Sequence, residues 1–434
     1  MKFASYVKSV LLELIDYYEK NPASYVKNPN KDFVRNRKLN LSSTIKLIMS
    51  LSNKSSQDEI LDFFNHKDET PSLSALIQQR EKLSDNLFPT LLAAFNSKFP
   101  LENKHKGYQL LACDGSDINI FHNPNDSSTY YRNPGAEKGF NEIHLDALYD
   151  LCNRRYLHIN IDGRHDQNEQ RALVNFIDNY EYNRKTIFIA DRNYCCWNVM
   201  AHAQNKGVYF LIRAKDIHSN GILKSFHFDN STTTIDSSYD LKLVRLKQSI
   251  NKHNTDAYRT MATNVKFDFL PVSTPGEYPI SLRVVRFLID DNRYEAIVTN
   301  LPQSEFSIDE IKELYSMRWG IETSFRELKH AIALNKFHSK KVNHIHQEIF
   351  AKVIMYNFCS IITMHVAHKQ KKKKHTYQIN FSRAIKECRY FFATNATDPP
   401  DVEIVIQKYM LPIRLGRTNP RKVKIREKST FLYR

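Results

Sequence analysis

Between Tyr108 and Ile212 short apolar runs alternate with helix-length segments, and this alternation limits the fold more than any other feature of the chain. The runs are Leu110 to Cys113, Ile143 to Leu151, Tyr156 to Ile161, Ile187 to Ala190 and Val208 to Ile212, with helical patterns at Asn168 to Tyr180 and Cys195 to Lys206. Strand-length runs interleaved with helices predict an α/β layer with a sheet at its centre. Residues 1 to about 100 carry helical spacing instead. Phe3, Tyr6, Val7, Val10, Leu11, Leu14, Ile15 and Tyr18 step by threes and fours, as do Ile45, Ile48 and Leu51 by threes. A Ser42 or Ser43 cap is expected for one helix there, and a later helix is expected behind Pro71-Ser72. From Asp216 to about Phe306 the texture becomes β-rich: Leu241 to Leu246, Tyr258 to Leu270, Ile280 to Ile289 and Tyr294 to Leu301. The Asp290-Asp291-Asn292-Arg293 turn predicts a hairpin between the last two. A long helix follows, so this stretch reads as a β-rich insertion.

Charge then narrows the partners. The 434 residues hold 63 Lys or Arg against 47 Asp or Glu, a formal net charge of +16. The last 66 residues alone hold 17 Lys or Arg against 5 Asp or Glu. Such a balance favours a polyanion, nucleic acid first and a membrane surface second. The run Lys371 to Lys374 has the plain reading of a solvated linker, whereas Arg414, Arg417, Arg421, Lys422, Lys424, Arg426 and Lys428 favour contacts to a DNA backbone. Arg35, Arg37, Lys38, Gln78, Arg80 and Lys82 are further candidates to hold phosphates, with solvated helix faces an equally open reading. The most apolar stretch, Val353 to Ala367, is broken by Asn357, Ser360, Thr363 and His365, so no membrane span is expected. Met1 to Lys20 reads as a folded helix and not as a signal peptide, and an intracellular protein is expected. The six cysteines show no CxxC spacing, and packed thiols are expected rather than a zinc or disulfide framework.

Three acidic residues stand out by position. Asp114 follows Leu110-Leu111-Ala112-Cys113 and Asp191 follows Ile187-Phe188-Ile189-Ala190, so each carboxylate is expected at the carboxyl end of a buried strand. A charge there is costly unless paired or metal-bound, and ligands of open α/β sheets gather at such ends. A turn or helix cap is the plainer reading of either one alone. The third acid lies on the helix expected to begin near Ser307. At about 100° per residue, Tyr315, Arg318, Glu322 and Lys329 form one polar stripe beside a core-facing band of Leu314, Met317, Ile321, Phe325, Leu328 and Ile332. Intrahelical pairing of Arg318 with Glu322 is the plain account of that stripe. Two aspartates and a glutamate can also hold two divalent cations, and all-oxygen ligands select Mg²⁺ or Mn²⁺ over zinc. Such a site moves phosphoryl groups. His144, His158, His165 and His202 need no part in that chemistry and are expected to be structural or exposed.

The spacing Tyr-x2-Arg-x3-Glu-x6-Lys at Tyr315, Arg318, Glu322 and Lys329 resembles the signature of insertion-sequence DDE transposases, in the bacterial group whose β insertion precedes the catalytic glutamate. Leu111 to Ser116 resembles that family's first-aspartate motif, Ala190 to Tyr194 its second, and Val298 to Leu301 the end of the insertion. The basic text Ile413 to Arg417 is also similar, so the resemblance runs nearly the length of the chain in order. It implies an α/β fold with a ribonuclease H-like catalytic core interrupted by the β-rich insertion, a helical N-terminal domain and a helical, basic C-terminal region. The expected divisions are 1–104, a DNA-binding region; 105–215, the first part of the core; 216–305, the insertion; 306–368, the second part with the catalytic helix; and 369–434, the basic region.

Residue by residue, the resemblance implies that Asp114, Asp191 and Glu322 are catalytic and ligate two Mg²⁺ ions, for which Mn²⁺ substitutes. Tyr315, Arg318 and Lys329 would hold phosphates and the transposon end, with Arg326 and Arg192 as further DNA contacts. Trp319 would stack on an unpaired base, and packing against the sheet is its equally open alternative. Asn193 departs from the small residue common after Asp-Arg in the family, and a left-handed backbone is expected for it. The implied activity is cleavage and strand transfer of an insertion sequence by cut-and-paste transposition through a hairpin. The implied partners are double-stranded DNA with terminal inverted repeats, target DNA and a second copy of the chain in the synaptic complex. A bacterial cytoplasmic, nucleoid-associated setting goes with these. Two alternatives stay open: a catalytically silent DNA-binding protein derived from a transposase, and a Mg²⁺ nuclease without strand transfer.

Overall fold

The computed structural model describes residues 2–35, 37–182, 185–226, 228, 233–251, 253–290, 293–368, 377–394 and 401–413. The run Lys371 to Lys374 and the basic residues from Arg414 onward lie outside the described residues, as do Asp291 and Asn292 of the expected turn. Five helices come first: α1 (Phe3–Lys20), α2 (Leu41–Ser50), α3 (Ser56–Phe63), α4 (Leu73–Arg80) and α5 (Leu87–Ser97). The α/β region follows with β1 (Gln109–Ile120), β2 (Tyr130–Tyr131), β3 (Phe140–Asp150), β4 (Arg155–Gly163), α6 (Glu169–Asn179), β5 (Thr186–Ala190), α7 (Trp197–Lys206) and β6 (Tyr209–Ala214). Then come β7 (Ile235–Val244), β8 (Tyr258–Thr260), β9 (Glu277–Asp290) and β10 (Arg293–Thr299). The chain continues through α8 (Ile308–Met317), α9 (Trp319–His330), α10 (Val342–His368), β11 (Tyr377–Gln378), α11 (Phe381–Ala393), α12 (Val402–Lys408) and β12 (Leu411–Pro412).

One mixed sheet of ten strands organises the α/β part, in the order β2-β3-β1-β5-β6-β10-β9-β7-β8, with β4 also paired to β3. β1, β5 and β6 are parallel neighbours, while β3 and β10 flank them antiparallel. The β-rich segment therefore does not form a sheet of its own. β10 pairs with β6, and β9 and β7 extend the same sheet outward. The expected hairpin is present, with Arg293 opposite Asp290. The expected strand from Tyr258 to Leu270 shrinks to three residues, because its later apolar residues, Met261, Phe267 and Leu270, plug the core as loop anchors. Asp268 in that loop is held by Asn198 at 2.8 Å and by His202 at 3.1 Å, which fastens the loop to α7.

Each face of the sheet has its own apolar layer. Leu111, Cys113, Phe188 and Ala190 point to the face covered by α6 and α7. Leu110, Ile187 and Ile189 point to the other, against Leu314 and Tyr315 of α8. On that second side Ala112 joins a large core in which α1, α2, α5, α9, α11 and α12 pack around α10. α10 is buried on nearly every side, as expected for a helix that is apolar all round. Among the described residues it is the helix long and apolar enough to cross a membrane, and 83% of its most apolar 18 residues are buried inside the protein. Its polar interruptions are anchors: Asn357 bonds Asn96 and both backbone groups of Tyr156, and Ser360 donates to the Arg154 carbonyl.

Two helix starts differ in detail from expectation. Asn40, not Ser42 or Ser43, caps α2 by accepting from the Ser43 N–H at 2.8 Å, so the helix begins slightly earlier. The helix expected behind Pro71-Ser72 is α4, and Ser72 caps it. Arg80, a candidate for phosphate, is instead spent inside the protein: it donates to Gln347, to the His344 carbonyl and to Glu348 at 2.9 Å, with only 2% of its surface exposed.

Candidate active site

The register of β1 and β5 places the two aspartates. Cys113 pairs with Ala190, and Asp114 and Asp191 follow on adjacent parallel strands about 4.8 Å apart. Alternation along each strand sends Asp114 to the side of Ala112 and Asp191 to the side of Ile189, so both leave the sheet on the face covered by α8 and α9. Asp191 does end its strand. Asp114 does not, because β3 continues antiparallel to β1 as far as Ile120. It stands where β1 loses its parallel neighbour, which opens the sheet beside it.

The helix carrying the third acid is two helices joined by a tight turn at Arg318. Arg318 keeps helical angles, φ −51° and ψ −33°, while its N–H bonds the Tyr315 carbonyl and the Ile321 N–H bonds the Arg318 carbonyl, three residues back in both cases. α8 starts with a capping box in which Ser307 and Glu310 satisfy each other's backbone donors. α9 is anchored by Glu327, which accepts two bonds from Arg154 at 2.9 and 3.0 Å and one from Tyr356 at 2.9 Å. Ser324 adds a bond to Tyr156 at 2.8 Å. Gly320 lets the helix start close to β3, since a Cβ there would lie 2.9 Å from Leu151 Cδ2.

These anchors bring the polar stripe over β1 and β5. Tyr315 donates to Asp191 Oδ1 at 3.4 Å, and burial pushes its phenol well up, so it stays a neutral donor. Arg318 is 4% exposed and pairs with Glu322 at 2.9 Å. Its Nε is buried with no acceptor among the described residues. The guanidinium also lies 5.0 Å from the ring of Trp319, which is 53% exposed. Lys329 is tied to β1 itself, donating to Ser116 Oγ at 2.6 Å and to the Asp117 carbonyl at 3.0 Å. Arg192 and Arg326 are exposed. Asn193 lies in a short 3₁₀ turn, Arg192–Tyr194, and has no left-handed backbone; its carbonyl is held by Gln170 at 2.7 Å.

Electrostatics single out Asp114. Burial pushes its carboxyl up to about 7, against the downward pull of Arg318 and of the Gly115 N–H, with Glu322 and Glu169 adding further repulsion. A buried carboxylate so short of positive charge has the chemistry of an oxygen ligand for a hard divalent cation. Among the described residues no three His, Cys, Asp or Glu side chains are gathered closely enough to hold one. Glu322 is turned onto Arg318 instead.

His144, expected to be structural or exposed, is buried beside Asp117, Asp146 and Glu169, and Glu169 went unread in the sequence. Their neighbours come from β1 and from the start of α6, so only strand pairing brings them together. The available signal was the i, i+2 spacing of His144 and Asp146 within an otherwise apolar strand.

Comparison with known proteins shows the family. Residues 105–358 match the family described as the transposase DDE domain. A putative transposase for insertion sequence element IS4SA from Synechocystis sp. is 28% identical over 146 residues, 31% of this chain and 42% of that protein. The chain thus spans less than half the length of that relative. A cryo-EM structure of a piggyBac transposase synaptic complex with hairpin DNA superimposes with a TM-score of 0.47 and 10% identity, over 95% of this chain and 84% of the other. With the family match covering more than half of its residues and both aspartates and the glutamate inside the matched span, the chain belongs to the DDE-domain transposases.

Proposed function

We propose that this protein is a DNA transposase that cleaves the ends of an insertion sequence and joins them to target DNA. The observation that carries the reading is the placement of Asp114 and Asp191 side by side on one sheet face, beneath a helix bearing Glu322, Arg318 and Lys329. In this reading β1, β3, β4, α6, β5, α7 and β6 with α9 make a ribonuclease H-like core, and the segment 216–305 is its insertion. Residues 1–104 and 369–434 supply DNA contacts outside the core, which is completed by 306–368.

Asp114, Asp191 and Glu322 would hold two Mg²⁺ ions, with Mn²⁺ able to replace them. Bound there, such ions supply a water ionised near neutral pH and charge stabilisation for the leaving 3′ oxygen. The protein's own groups position the DNA. Arg318, with a buried Nε free to donate, takes a phosphate oxygen and in doing so releases Glu322 toward the two aspartates. Tyr315 donates a neutral hydrogen bond next to Asp191. Lys329 fixes the stretch of β1 that carries Asp114, and Arg192 and Arg326 face solvent where a backbone can reach them. Trp319 offers an exposed ring for a base turned out of its stack. The freed 3′ hydroxyl attacks the opposite strand to give a hairpin and, after reopening, attacks target DNA in a cut-and-paste cycle. Two inverted-repeat ends held together call for a homodimer, acting on DNA in a bacterial cytoplasm.

The test is direct. Asp114→Asn and Glu322→Gln should each abolish cleavage of a DNA carrying the terminal repeats, in Mg²⁺, while binding to the same DNA stays within a few-fold of wild type. Cleavage at the wild-type rate by either variant ends the assignment.

A further inference from the structure

Past Cys113, β1 has a neighbouring strand on one side only. β5 ends at Ala190 opposite Cys113, while β3 stays paired with β1 as far as Ile120. The stretch that carries Asp114 therefore lacks the second ladder that fixes a central strand. Side chains hold it instead, from both faces, and their contacts meet at Asp117. On the α9 face Lys329 donates to Ser116 Oγ at 2.6 Å and to the Asp117 carbonyl at 3.0 Å. On the opposite face the Asp117 carboxylate accepts from His144 Nδ1 at 2.7 Å. His144 Nε2 lies 3.2 Å from Asp146 Oδ1 and 3.6 Å from Glu169 Oε1 at the start of α6. With a carboxylate on each ring nitrogen the ring is an imidazolium: burial opposes the charge, but the bonds to Asp117 and Asp146 outweigh it and push the ring up to about 10. His144 in turn holds the Asp117 carboxyl below its ordinary value. Arg164 also reaches Asp117, at 3.7 Å, but its main partner is Glu142 at 2.8 Å. The ring fits because Gly115 has no side chain, since a Cβ there would lie 2.4 Å from His144 Nε2.

We infer that Ser116 and Asp117 are positioning residues for strand cleavage: together they grip the Lys329 ammonium and so lock α9 to the one-sided stretch of β1, with His144 anchoring Asp117 from behind. Ser116 lies two residues after Asp114, so alternation puts both side chains on one face. Lys329 lies seven residues after Glu322, about two turns along the same helix. One grip therefore ties the strand that carries the aspartate to the helix that carries the glutamate. It also keeps the ammonium on the face where a bound phosphate would meet it. A shift of about 1 Å in such a constellation can cost on the order of a hundredfold in rate. The inference rests on the reading of this face as the site of DNA cleavage.

Two measurements on the full chain test it. The first needs no DNA: limited acetylation by acetic anhydride, with each lysine followed by mass spectrometry. An ammonium held by two bonds must leave both before its amine reacts, so Lys329 should acetylate several-fold more slowly than the exposed Lys98. Ser116→Ala and Asp117→Ala should each speed Lys329 several-fold and leave Lys98 unchanged, whereas general loosening of the fold would speed both. The second is cleavage of saturating repeat DNA in Mg²⁺. Ser116→Ala should cut about tenfold more slowly, with binding within a few-fold of wild type, and Ser116→Thr, which keeps the hydroxyl, should restore both the slow acetylation and the rate. Lys329 reacting as fast as Lys98 in wild type overturns the inference. So does Ser116→Ala with unchanged Lys329 reactivity or unchanged cleavage, and so does Ser116→Thr that behaves like Ser116→Ala. A wild-type chain that does not cut defeats instead the reading of the Asp114 face, and the acetylation rates then decide by themselves whether Lys329 is gripped.

Discussion

Asp114 bears the main electrostatic cost of the site, and that cost is measurable without DNA. Its carboxyl moves from an ordinary value of 3.8 up to about 7, chiefly through burial. A folded-state value above the unfolded one means the native protein holds more protons between about pH 4 and pH 7, so stability falls as pH rises through that window. The penalty is absent below about pH 4 and complete above pH 7, where it is roughly 2 kcal/mol once partial solvent access is allowed for. Asp114→Asn should therefore melt higher than wild type at pH 8 in a chelator, by several degrees, with the difference vanishing near pH 4. Added Mg²⁺ should raise wild type and leave the variant unmoved. Equal melting at pH 8 in the chelator would show that the carboxylate is not strained. Asp114 and Asp191 were legible in the sequence because each follows a buried run, where a charge needs a reason. His144 was read as structural or exposed, and its pairing was not legible, since Asp117 and Glu169 are distant in the chain.

At the scale of elements, the polar stripe on α8 and α9 could be read from spacing alone, and the structure keeps it despite the tight turn at Arg318. What spacing could not reveal is how the stripe is aimed. That depends on Glu327, which takes two bonds from Arg154 and one from Tyr356 on α10. Glu327→Gln should leave Arg154 short of a charged acceptor and cost about 2 kcal/mol, less than a fully buried pair because Arg154 is partly exposed. Cleavage should fall at least tenfold through misplacement of Glu322, with DNA binding little changed. A variant that loses stability but cuts normally would mean α9 is held over the sheet by its apolar face alone. Strand boundaries were the weaker part of the reading for a related reason. The length of β1 is set by β3 across from it, and the short β8 by which residues of its loop the core can accept.

For the whole molecule, charge and architecture divide the labour. Of the N-terminal helices α1, α2 and α5 share one apolar core around α10 with α11 and α12, while α3 and α4 pack in a smaller cluster with Leu39 and Leu47, so these regions are fastened by burial. Buried Arg80, paired with Glu348 of α10, shows that a basic residue in this region can serve that fastening instead of DNA. A large share of the positive excess lies in 414–434, which holds eight Lys or Arg and one Glu. Counterion release makes the logarithm of binding affinity fall with the logarithm of salt by about 0.9 for each phosphate neutralised. If half of those eight residues meet phosphates, removing 414–434 should flatten that slope by roughly 3 to 4 and weaken binding most at low salt. The melting temperature of the truncated chain should stay near that of the full chain. Binding isotherms of the truncated and full chains across a salt series measure this. A slope that stays the same would assign the DNA contacts to exposed cations of the described body, with Arg192 and Arg326 beside the site the first to substitute.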